Sequence, residues 1–199
     1  EFGVCYSQKF ENFYTSIGIH PQSVAELSDD YIQRIEELSK EKKVVAIGEI
    51  GLDYYWTKET REKQLEVFEE QLLLAKRLDL PVIIHSREAT EDCMNLLKKH
   101  RPKGVVHCFS GSAETAKEVL ALGMYIGFTG VLTFSNSKKA ISALTVVPTE
   151  RLLLETDAPY MSPVPYRGKR CTSLLIPYTA EKIAAVRGEA VEKLLLDRK

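Results

Sequence analysis

The sequence predicts an α/β fold with parallel strands, and three observations carry that reading. Apolar, β-branched runs of strand length alternate six times with segments of helical period, and a helical crossover between successive strands makes them run parallel. The runs VVAIGEI, PVIIHS and RLLLETD are apolar almost throughout, as strands covered on both faces are. The polar residues that interrupt the runs recur near the C-terminal ends of the strands, the end at which a parallel barrel assembles its site. A barrel with a polar mouth is therefore favoured over a doubly wound sheet.

The strands are expected at Phe13 to Gly18, Val44 to Ile50, Pro81 to His85, Gly104 to Phe109, Tyr125 to Thr129 and Arg151 to Thr156. The clearest helix spans Thr60 to Leu78, where Leu65, Phe68, Leu72 and Ala75 recur at three- and four-residue steps among charged residues. Asp29 to Lys42, Glu88 to Lys99, Ala113 to Leu122, Ser137 to Leu144 and Tyr178 to Val186 have the same period. A complete eight-stranded barrel takes about 250 residues, so this sequence is short by roughly two strand–helix units. No linker, low-complexity tract or repeat marks a second domain, and a single domain over 1–199 is expected.

Lys and Arg number 27 against 28 Asp and Glu, a formal net charge of -1. With 44% hydrophobic and 28% charged residues, the composition excludes a disordered, collagen-like or disulfide-stapled chain. No run reaches the roughly 18 to 20 apolar residues of a membrane span, and no basic and apolar leader opens the sequence, so a soluble, cytoplasmic protein without a membrane partner is expected. Cys5, Cys93, Cys108 and Cys171 form no Cys-x-x-Cys pair, and are read as buried reduced thiols.

His20, Glu49, His85, His107 and Asp157 all stand at or near strand ends. Imidazole and carboxylate together suit Zn, Mn or Mg, and such a set on several strands makes a hydrolytic metal site. One buried His or Glu alone is as readily a hydrogen-bonded core group, but five in this placement are not. His100, among lysines at a helix end, reads instead as a solvated cap. Cys108, adjacent to His107 on a strand, is expected to face the other way.

The segments SIGIHPQ, AIGEIGLDYYW, PVIIHSREA, HCFSGS and ETDAPYMSPVPYRGKR, in this order and spacing from about residue 13 to 187, resemble the TatD family of metal-dependent deoxyribonucleases. The resemblance implies a (β/α)8 TIM-like barrel of the metal-dependent hydrolase superfamily, a divalent-metal centre, and hydrolysis of DNA phosphodiesters, commonly 3′ to 5′ on single strands. Motif by motif, it assigns Glu49, His85, His107 and Asp157 to the metal, with Glu49 and Asp157 also catalytic. It sets His20 at the mouth beside the scissile phosphate. Asp53 and Arg87 would stand behind a ligand or against phosphate. The family's His-x-His-x-Asp motif does not occur here, and its first two strands are not recognisable. Its terminal helix is reduced to Gly188 to Lys199. Cys171 stands where the family carries Asn, and the following Glu-Pro is lost.

A barrel hydrolase of small amides or esters and a non-catalytic binding remnant are the competing readings. The basic, aromatic loop with Tyr160, Tyr166, Arg167, Lys169 and Arg170 favours phosphates and bases over a neutral amide. Tyr54, Tyr55 and Trp56 are further candidates to stack terminal bases, although at least two of these five aromatics are expected to pack helices instead. A monomer is expected to bind single-stranded DNA through Arg167, Lys169, Arg170 and Arg87, engaging about two to four phosphates. The affinity of a catalytically dead variant for single strands should then fall with salt at a log-log slope of about -1.4 to -2.8. Oligonucleotide titrations across salt measure this, and a slope much steeper than about -3 contradicts it.

Overall fold

A computed structural model describes residues 2–196, in two compact units that divide in sequence between Val105 and Val106. The single domain expected over 1–199 also takes in residue 1 and residues 197–199, which lie outside the described residues. The chain is α/β, as expected.

In the first unit, α1 (Phe2–Lys9) precedes β1 (Thr15–Ile17), followed by α2 (Tyr31–Leu38), β2 (Val44–Asp53), α3 (Arg61–Leu78), β3 (Val82–Arg87) and α4 (Thr90–His100). On β4 (Gly104–Val106) the chain passes into the second unit. The strands of the first unit lie in chain order, with β1, β2 and β3 paired in parallel. Ile47, Ile50, Leu52 and Ile84 are fully shut from solvent, together with Leu72 of α3 and Leu97 of α4. Helices therefore cover these strands, which is why the strand sequences show so little alternation.

The second unit runs α5 (Ala113–Ala121), β5 (Tyr125–Phe128), α6 (Lys138–Leu144), β6 (Leu152–Leu154), α7 (Ile176–Arg187) and α8 (Val191–Leu196). Ser112 caps α5, its hydroxyl accepting the Thr115 N–H at 3.3 Å. Gly188, at φ 67, ends α7 in the left-handed conformation. β5 and β6 pair in parallel, with Ile126 opposite Leu152 and Phe128 opposite Leu154. Ile126, Phe128, Leu132, Leu144 and Ile183 form this unit's core. Among the described residues no helix is long and apolar enough to cross a membrane.

All six expected strands and six expected helices are present, with shifted ends. β2 continues past Ile50 to Asp53, and β4 stops at Val106, leaving His107 and Cys108 in the turn that follows. α1 has no counterpart among the expected helices, and α8 lies within Gly188 to Lys199, the stretch to which the family's terminal helix is reduced. His100 is not a solvated cap: its side chain is only 9% exposed, and its Nε2 lies 2.6 Å from Glu69 Oε1 on α3. Cys93 and Cys171 are buried free thiols, Cys108 is half-buried, and Cys5 is exposed.

A polar clip ties the residue after β2 to the helices beside it. The Tyr54 hydroxyl donates to Asp92 Oδ2 at 2.7 Å, and Arg61 donates to the same oxygen through Nε at 3.0 Å and Nη2 at 2.7 Å. Burial and the bond to Asp92 push the Tyr54 hydroxyl up to about 12, while the Tyr54 hydroxyl and Arg61 hold the Asp92 carboxyl below its ordinary range. A depressed carboxyl contributes stability above its unfolded value of about 3.9 and loses it as pH falls further. Asp92→Asn should therefore cost about 1 kcal/mol at pH 7, Arg61 being half exposed, and the gap to wild type should close below about pH 4. Urea unfolding at the two pH values checks this; a gap that persists at acid pH contradicts it.

Candidate metal centre

The first unit brings His20, Glu49 and His85 together, with one ligand atom from each within 4.8 Å of the others. His20 follows β1 in a loop gripped by a buried glutamine of α3. The Ile19 N–H donates to Gln71 Oε1 at 2.6 Å, and Gln71 Nε2 donates to the Ile19 carbonyl at 3.2 Å. A side-chain amide here satisfies a peptide group beyond β1, whose pairing with β2 ends at Ile17. The His20 Nδ1 then accepts the Gln22 N–H at 3.3 Å. A neutral His20 thus carries its proton on Nε2, the nitrogen 4.0 Å from Glu49 Oε1.

Glu49 lies where the pairing of β2 with β3 slips, between Ile47 opposite Val82 and Ile50 opposite Ile84. Such an irregularity re-aims a side chain, and Glu49 is half-exposed within a strand otherwise buried from Ala46 to Asp53. Gly51 pairs with His85 at φ 142, and a Cβ there would run into the His85 carbonyl oxygen. Only glycine permits this approach, which seats His85 beside β2.

His85 stands between two carboxylates. Its Nδ1 lies 2.9 Å from Glu49 Oε1 and its Nε2 3.2 Å from Asp53 Oδ2. Asp53 is completely buried and firmly held. Its Oδ1 accepts the N–H groups of Tyr55 at 3.0 Å and Trp56 at 2.9 Å, and its Oδ2 accepts Gln22 Nε2 at 3.2 Å. Its backbone N–H donates to Gln64 Oε1 at 2.8 Å. Asp53 is thus the fixed acceptor for the His85 Nε2–H. In a neutral ring Nδ1 then turns a lone pair toward the Glu49 oxygen, an arrangement a shared cation satisfies.

The second unit repeats the pattern. His107 Nδ1 lies 3.0 Å from Glu155 Oε2, and its Nε2 lies 3.5 Å from Asp157 Oδ1. Glu155 is fixed by the Cys108 N–H, which donates to Oε1 at 2.6 Å, and by Gly127, where a Cβ would come within 2.5 Å of the Glu155 Cδ. The Cys108 thiol lies 3.4 Å from Thr129 Oγ1. With Glu155 taking the Nδ1–H, the lone pair of a neutral His107 faces Asp157. Nitrogen and oxygen donors in this mixture fit a borderline or hard divalent ion such as Zn, Mn or Mg.

Asp53 therefore stands behind His85 rather than in a surface salt bridge. Arg87, two residues beyond His85 on β3, has its guanidinium 4.4 Å from the centre of the Tyr55 ring. Two of the five aromatics, both half-buried, pack against helices: Tyr54 in the Asp92 clip, and Tyr166 against Tyr178 of α7, with the ring centres 5.1 Å apart. Tyr160 is 69% exposed, and its N–H donates to the Asp157 carbonyl at 2.7 Å. Arg167, Lys169 and Arg170 are exposed, Arg167 lying 4.3 Å over the Phe134 ring and Lys169 5.7 Å over Tyr166. Cys171 is buried, and its N–H donates to the Pro159 carbonyl at 2.9 Å, closing the loop.

Glu155, Gln64 and Gln71 join the site through contacts that only the fold creates. Gln64 and Gln71, seven residues apart, place amides on the apolar face of α3, a polar interruption that signals a buried hydrogen-bonding duty. Glu155, two residues before Asp157, carried no comparable local signal.

The family model described as TatD related DNase matches residues 4–196. A Bacillus subtilis protein named uncharacterized metal-dependent hydrolase YabD is 42% identical over 190 residues, 94% of this chain and 74% of that protein. A Cronobacter sakazakii protein named 3'-5' ssDNA/RNA exonuclease TatD is 36% identical over 197 residues, 95% of this chain and 75% of its own. The crystal structure of YJJV, a TatD homolog from Escherichia coli, superposes with a TM-score of 0.92 at 33% identity, covering 98% of this chain and 77% of that one.

Asp53→Asn removes the charge behind His85 while keeping its volume. The affinity for Mn2+ should fall about 10- to 100-fold with the fold retained, as measured by calorimetry and circular dichroism. Unchanged affinity in the folded variant contradicts the role given to Asp53.

Proposed function

The chain belongs to the family of TatD-related DNases, metal-dependent hydrolases with a TIM-barrel-like fold, and on that premise we propose that it hydrolyses DNA phosphodiester bonds, acting 3′ to 5′ on single strands. The observation that carries the proposal is the histidine held between a fixed and an outer carboxylate, once in each unit. Glu49 and His85 in the first unit, and His107 and Asp157 in the second, are the residues that would hold divalent metal. Such an ion lowers the pKa of water toward neutrality and offsets charge on the phosphoryl oxygens.

The chain's own groups supply the rest. Glu49 and Asp157 both keep solvent-accessible carboxylates, suited to accepting the proton of the attacking water. His20, with its Nε2–H fixed by the Gln22 amide, is suited to donate to a phosphoryl or leaving oxygen. Arg87 brings a positive charge beside His85, and Tyr160, Arg167, Lys169 and Arg170 offer an exposed basic and aromatic loop for the strand. These cationic and aromatic groups favour a nucleic acid over a small neutral amide, and the name of the Cronobacter relative points the same way.

Glu49→Ala and Asp157→Asn should each lower release of nucleotides from a 3′-labelled single strand by at least about 10²- to 10⁴-fold, with thermal unfolding close to wild type. Chelation should stop the wild type, and added Mg2+ or Mn2+ should restore it. Hydrolysis that survives the loss of Glu49 refutes its role.

A further inference from the structure

Trp56, the one tryptophan of the chain, is 58% exposed, and its neighbour Tyr55 is 52% exposed. Adjacent large aromatics left in water mark a contact surface rather than a core. Their backbone is fixed, because the N–H groups of both residues end on Asp53 Oδ1. Their rings meet edge to face at 89°, with centres 4.7 Å apart. The Arg87 guanidinium covers the Tyr55 ring at 4.4 Å and stands 5.6 Å from the centre of the Trp56 ring. Among the described residues no carboxylate lies within ion-pair distance of Arg87, so its charge stays available to an anion.

The position of this patch matters as much as its composition. Arg87 lies two residues beyond His85 on β3, hence on the same face of the strand and about 7 Å along it. Asp53 joins the two places, holding the His85 Nε2 with one oxygen and the Tyr55 and Trp56 amides with the other. Stacking ring and histidine are thus held by a single buried carboxylate, and Arg87 lies opposite Asp53 in the pairing of β2 with β3.

We infer that Trp56 and Arg87 form a subsite for one unpaired nucleotide, in which the base stacks on the Trp56 ring and the phosphate pairs with the guanidinium that Tyr55 buttresses. The inference rests on the nuclease reading and deepens it. Every base presents a π-face, so the subsite is tolerant of sequence, and a base paired inside a duplex cannot reach it. Single-strand preference then resides in Trp56 and Arg87.

Trp56 also supplies its own reporter, since all tryptophan fluorescence comes from the proposed stacking ring. Titration of the full chain with a nuclease-resistant phosphorothioate oligothymidylate should quench that fluorescence, while an abasic oligonucleotide of equal length and charge should not. Trp56→Ala should weaken binding of the oligothymidylate about 5- to 150-fold and that of the abasic strand little, and Trp56→Phe should restore most of the loss. Unquenched fluorescence, or equal affinities of wild type and Trp56→Ala, while single strands are still hydrolysed, overturns the subsite and leaves the nuclease reading standing. Quenching by the base-bearing strand with no hydrolysis of any nucleic acid supports the subsite and overturns the nuclease reading.

Discussion

A neutral imidazole has one N–H to give, and in each unit of this protein a histidine faces two carboxylates. The N–H goes to the carboxylate that is fixed in place: Asp53 beneath His85, Glu155 beneath His107. The other nitrogen must then meet the outer carboxylate, Glu49 or Asp157, with a lone pair, and a cation resolves that conflict. A buried charge without partners costs several kcal/mol, so the completely buried Asp53 needs donors of its own. Asp53 has the Tyr55 and Trp56 amides and the Gln22 side chain, and Glu155 has the Cys108 amide.

Much of the surrounding structure follows from holding those groups still. Gly51 lets β2 press against the backbone of His85, and Gly127 leaves room for the Glu155 carboxylate. Gln71 fixes the loop that leads to His20, and Gln64 fixes the end of β2 that carries Asp53. Both glutamines belong to α3, whose apolar residues bury against the sheet, so one helix secures both a core and a site. The slip in register at Gly48 and Glu49 serves the same end, aiming a carboxylate out of a buried strand.

The fold was legible because periodicity is a local property. Six strands and six helices could be placed from apolar spacing alone, and His20, His85 and His107 at or just beyond strand ends. What was not legible depends on partners far apart in sequence. His100 looks solvated among lysines until Glu69, 31 residues earlier, is brought beside it by α3 and α4. Glu155 looks like one more strand-end carboxylate until His107, 48 residues earlier, meets it. Tyr54, Tyr55 and Trp56 are equivalent as letters, yet one is taken into a clip with Asp92 and the other two are left exposed. The motif-based resemblance reached the correct family because five separated segments constrain one another, which no single residue pattern does.

How His85 and His107 meet a metal depends on which ring nitrogen carries the proton. Long-range ¹H–¹⁵N correlation spectra of the Zn2+-loaded protein, with the histidines assigned by substitution, read it directly. His85 should carry its proton on Nε2, toward Asp53, and His107 on Nδ1, toward Glu155, with the opposite nitrogens bearing none. The reverse tautomers, or spectra unchanged by the metal, would contradict it.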